Sequence, residues 1–133
     1  MDIFTTTVLS LSGLALLYAG VTRLATPEKT IFLVTYLANP ANQLSNNIDL
    51  ANEIRGVGAV MLLSGGITLL GTAVIDLRLI SLIVANLVFF GAFFGRLISW
   101  FADGKPTSAI IRVTIVEGFL GILNLYCLLH FLR

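Results

Sequence analysis

What most limits how this chain can fold is the shortness of two of its polar breaks. Long apolar runs are separated there only by Val74-Ile75-Asp76-Leu77 and by Ala102-Asp103-Gly104-Lys105-Pro106. Connections this short join helices only as antiparallel neighbours. Four runs, at about 3–23, 54–74, 78–101 and 108–131, are long and apolar enough to cross about 30 Å of hydrocarbon as α-helices. The second, third and fourth must therefore form consecutive hairpins. The fold class expected is all-α: an integral membrane four-helix bundle in one domain, residues 1–133, with an interfacial or re-entrant helix between spans 1 and 2.

Composition supports the membrane reading. Charged residues make up 11% of the 133 residues and hydrophobic ones 57%, with a mean hydropathy of +0.98, which leaves too little polar surface to coat a soluble globule. A net charge of +1 without a basic run lacks the footprint of a nucleic-acid binder. The single cysteine, Cys127, excludes an intrachain disulfide, and with one histidine, His130, no Cys/His metal cluster is possible. There is no phosphate-cradling glycine loop, nucleophile elbow or zincin helix, so neither a cofactor nor a metal is expected. Met1-Asp2-Ile3-Phe4 lacks the positive flank of a signal peptide, and the apolar run continues to Leu24 without a small-residue cleavage site. It reads as the first retained span.

The stretch Ala25 to Asn52 is too long to be a structureless link. Thr26-Pro27-Glu28 offers a cap, a proline and an acid for the first turn of a helix, and Asn39-Pro40 stops it. A segment of about 27–38 is too short to span and is expected to lie in or dip into the interface. A cap at Asn46 or Asn47 would extend the second span backwards through Glu53 and Arg55.

Four spans put both termini on one side. Arg23, Lys29, Arg55, Arg96, Lys105 and Arg112 belong to the other, hairpin side, against Arg78 and Arg133 on the terminal side. The positive-inside rule then places the hairpin in the cytoplasm and the termini in the periplasm of a bacterial inner membrane. Gly13, Gly20, Gly58, Gly65, Gly66, Gly91, Gly95, Gly118 and Gly121 read as close-packing positions within the bundle.

Two charges lie well inside apolar runs, Arg96 on the third span and Glu117 on the fourth. Helical rise puts them about 10 Å and about 15 Å below the turn, at comparable depth. Unpaired charges there are costly, so they are expected to face each other or a shared polar pocket. Glu117 and Asn124 share a face, differing by about 20° around the helix. Arg112 lies about 140° from Glu117 and is expected to snorkel to the headgroups. Phe89, Phe93 and Trp100 fall within about 60° of Arg96 and would surround it with aromatic rings. Asn86 is expected to pair with Asn124 at about 1 kcal/mol. Glu53 and Arg55 enter from the same side, so four charges converge. The candidate ligand-binding residues are Glu53, Arg55, Arg96 and Glu117, with Asn86, Phe93, Trp100 and Asn124 in a secondary pocket. A purely structural ion network is the competing reading.

These positions resemble the bacterial membrane family known as domain of unknown function 4345, usually compared with DoxX-like four-helix proteins. The resemblance rests on Gly20, Pro27-Glu28, Glu53-Ile54-Arg55-Gly56, Gly95-Arg96-Leu97-Ile98-Ser99, Asp103-Gly104-Lys105-Pro106 and Glu117. It implies four helices and directs attention to Glu53, Arg55, Arg96 and Glu117, without implying an activity. The asparagine-rich connection from Asn39 to Asn52 departs from the pattern.

A binding role is favoured over catalysis: a charged pocket holding a lipid headgroup or amphipathic small molecule, in support of envelope function, a larger membrane complex or a homo-oligomer. Arg55 and Arg96 would bind an anionic group while Glu53 and Glu117 orient them. One alternative is a proton-coupled transporter that titrates Glu117. Small multidrug exporters, however, carry their carboxylate in the first span, which here has no acid between Asp2 and Arg23. The other is a lipid- or sterol-modifying enzyme with Glu117 as acid or base.

Overall fold

The computed structural model describes residues 3–30 and 48–133. Within them the chain forms α1 (Ile3–Ala25), a 3₁₀ turn (Pro27–Lys29), α2 (Ile48–Ala73), a second 3₁₀ turn (Ile75–Leu77), α3 (Arg78–Asp103) and α4 (Ser108–Phe131). No strand occurs among the described residues, and all four helices are long and apolar enough to cross a membrane. The fully buried side chains are mostly small or polar: Ser12, Thr68, Ser81, Asn124 and Cys127 beside Leu9 and Leu82. Large apolar groups such as Leu63, Leu87 and Phe119 point outward. That inversion suits a bundle whose solvent is hydrocarbon and whose polar groups find partners inside.

The helix ends follow local chemistry. α3 runs to Asp103, whose carboxylate accepts a hydrogen bond from Ser99 Oγ at 2.8 Å, and stops at Gly104, which has φ 103°. A left-handed residue of this kind turns the chain out of a helix, and glycine adopts it without a Cβ clash. α2 ends beneath Arg78, which is buried and donates from Nε to the Gly71 carbonyl at 3.2 Å and from Nη2 to Thr6 Oγ1 at 3.5 Å. A cation at the carbonyl end of a helix complements its dipole.

The segment expected to be helical over 27–38 begins differently. Pro27–Lys29 makes one 3₁₀ turn, closed by Thr30 N–H donating to the Pro27 carbonyl at 3.1 Å, and Thr30 is extended, with φ −63° and ψ 131°. Thr26 makes no capping bond; its hydroxyl donates back to the Thr22 carbonyl at 3.3 Å. Residues 31–38, the Asn39-Pro40 stop and the caps expected at Asn46 or Asn47 lie outside the described residues.

α1 lies along α2 and α3 along α4. Two apolar clusters tie these layers together: Val8, Leu9, Leu82 and Cys127 at one level, Leu16, Ala85, Phe89 and Leu120 at the next. Both draw on α1, α3 and α4, and α2 joins chiefly through glycine contacts with α1. Gly13, Gly20, Gly58, Gly65, Gly118 and Gly121 do sit at close approaches, but Gly66, Gly91 and Gly95 face open space. Close packing within the bundle therefore explains the first set and not the second, because the latter lie on outward faces of α2 and α3.

Candidate functional site

The hairpin of α3 and α4 sets Arg96 and Glu117 at matching depth, and the two side chains meet. Arg96 Nε donates to Glu117 Oε2 at 2.7 Å and Nη2 donates to Oε1 at 3.0 Å. This fork matches the planar guanidinium to both carboxylate oxygens, the strongest geometry available to such a pair. Side-chain exposure is 22% for Arg96 and 10% for Glu117, so the pair is shielded yet reachable from one side.

That side is a cavity of about 300 Å³. It lies between α1, α3 and α4, with Met61 contributed by α2, and its walls are mostly apolar: Leu16, Val88, Phe89, Val113 and Leu120. Arg23, Lys29, Arg96 and Arg112 also line it, with Glu117 the one acid in the lining among the described residues. Arg23 belongs to the last turn of α1, where its Nη1 donates to the Ala19 carbonyl at 3.1 Å. Thr30 lines the same space, 4% exposed, and its Oγ1 has no hydrogen-bond partner among the described residues.

The other residues singled out from sequence divide in instructive ways. Glu53 and Arg55 are exposed and do not line the cavity, and Arg55 Nε reaches the Leu24 carbonyl at 3.4 Å instead. The residue between them, Ile54, is buried. Successive helical residues are turned by about 100°, so burying Ile54 swings both neighbours away from the interior. The convergence of four charges is thereby corrected to the Arg96–Glu117 pair with Arg23, Lys29 and Arg112 around it. Arg112, expected to snorkel, is exposed and also borders the cavity.

Of the aromatic residues expected around Arg96, Phe89 lines the cavity, Phe93 packs over Gly118, and Trp100 is outward with 37% exposure. The Asn86–Asn124 pair does not form. Asn124 Nδ2 donates to Ser12 Oγ at 2.7 Å and to the Leu120 carbonyl at 2.8 Å, while Asn86 Nδ2 donates to its own helix at Leu82. Neither Oδ1 has a partner among the described residues. α1 supplies Ser12 where Asn86 was expected, because it packs against α4 at that level.

Arg23 and Lys29 were missed as site residues. A signal for Arg23 existed: Ser12, Leu16 and Ala19 precede it at helical spacing, and all four share one stripe of α1. Lys29 had none, since its position depends on the turn after Pro27.

The family model described as "Domain of unknown function (DUF4345)" matches residues 4–128. The chain belongs to this family. The DUF4345 match runs through all four helices and takes in every residue that lines the cavity. No curated protein and no solved structure matches the chain.

Proposed function

We propose that this small membrane protein binds a lipid headgroup or an amphipathic small molecule in the cavity lined by Arg96 and Glu117, in support of envelope function or of a larger membrane complex. On this reading it sits in a bacterial inner membrane with the cationic mouth towards the cytoplasm. One observation carries the proposal: a single cavity of about 300 Å³ joins a cationic mouth to a hydrocarbon-lined interior. Its size falls at the low end of ligand-pocket volumes, and its few convergent polar groups on apolar walls are the usual make-up of such pockets. The fork around Glu117 favours binding over proton-coupled transport, because both carboxylate oxygens are held by a permanently charged guanidinium.

Native mass spectrometry of the protein purified in neutral detergent, with extraction and identification of retained lipid, tests this. One retained amphiphile per chain is expected. Only the bare protein mass, throughout titration with total bacterial lipid extract, would overturn it.

A further inference from the structure

The cavity's charge balance narrows the ligand. The Arg96–Glu117 fork is internally neutral, and each partner spends its best geometry on the other. Arg23, Lys29 and Arg112 remain, brought to one mouth by α1, the first 3₁₀ turn and α4, and among the described residues no other acid lines the cavity. None of the three is in an ion pair among the described residues, where Arg96–Glu117 is the salt bridge present. Converging cations next to an apolar space repel one another and are stabilised by an anion that accepts hydrogen bonds from them.

Below this mouth the walls are apolar, and the volume admits one hydrocarbon chain of moderate length; the two acyl chains of a diacyl lipid occupy far more. We infer that the ligand is a single-chain amphiphile with an oxyanion head, carboxylate or phosphate, held by Arg23, Lys29 and Arg112, with its chain between α1, α3 and α4. Arg96 and Glu117 form a fixed, internally neutral part of the cavity wall. This rests on the binding role proposed above and adds the head's charge and the number of chains.

The test uses the full chain in neutral detergent, with binding read by native mass spectrometry against dodecyl phosphate, dodecanoate, dodecanol, phosphatidylglycerol and inorganic phosphate. Dodecyl phosphate and dodecanoate are expected to bind one per chain and at least tenfold more tightly than dodecanol, phosphatidylglycerol or inorganic phosphate. Arg23→Gln should weaken both charged probes at least tenfold and leave dodecanol unchanged. Should Arg23→Gln fail to fold, Lys29→Ala and Arg112→Ala, both at exposed positions, carry the same expectation. Dodecanol binding as tightly as dodecyl phosphate overturns the anionic head, and so do charged probes that ignore all three substitutions. Phosphatidylglycerol binding as tightly as dodecyl phosphate overturns the single chain, and inorganic phosphate binding as tightly overturns the need for one. Absence of binding by every probe defeats the binding role itself, a result distinct from the others.

Discussion

Gly20 and Gly58 face each other across α1 and α2 so closely that neither position accepts a side chain. A Cβ on Gly20 would lie 2.6 Å from the Leu62 backbone nitrogen and 2.8 Å from the Gly58 carbonyl oxygen, and one on Gly58 would lie 2.7 Å from Arg23 Cβ. The first collision is with backbone, which cannot rotate aside. The second reaches the base of a cavity residue, so helix packing and site geometry are coupled here.

Gly20→Ala should therefore destabilise the bundle by about 1–3 kcal/mol, the usual cost of overpacking. Gly91→Ala, on an open face, should be neutral or slightly stabilising. Thermal unfolding in detergent micelles checks both; equal melting temperatures for the two variants would contradict the close approach.

The Arg96–Glu117 fork predicts strong non-additivity. Removing one partner, as in Arg96→Met or Glu117→Met, leaves a shielded charge without its counter-ion and should cost about 3 kcal/mol. The double variant should recover most of that, since an apolar pair of similar volume carries no desolvation penalty. A double-mutant cycle of detergent unfolding measures the coupling. Additive losses would mean that the two groups are independently hydrated.

Asn124 and Asn86 should respond in opposite directions. Ser12→Ala removes the hydroxyl that accepts from Asn124 Nδ2 and should cost about 0.6 kcal/mol, the average for interhelical hydrogen bonds in membrane bundles. Asn86 bonds only its own helix and leaves Oδ1 unpaired among the described residues, so Asn86→Leu should stabilise. Unfolding midpoints of the two variants decide it, and a loss of stability in Asn86→Leu would show that its amide has a partner.

The number of spans, the two tight hairpins and the meeting of Arg96 with Glu117 were all legible in the residues. The reason is geometric: a helix has a fixed rise, and a short turn leaves its two arms no freedom to slide, so depth follows from counting. The shared buried face of Glu117 and Asn124 follows from the same periodicity. How each helix is rotated about its axis against the others is not carried by any one segment. It is decided where backbones touch, at pairs such as Gly20 with Gly58 and Gly65 with Leu17, and those contacts turned Ile54 inward and Glu53 and Arg55 out. The partner of Asn124 was set in the same way, by the level at which α1 packs on α4. The sequence alone thus determined which charges lie at which depth, through the regular geometry of helices joined by short turns. Only the tertiary structure decided which of them share a cavity, because that depends on steric contacts between helices distant in the chain.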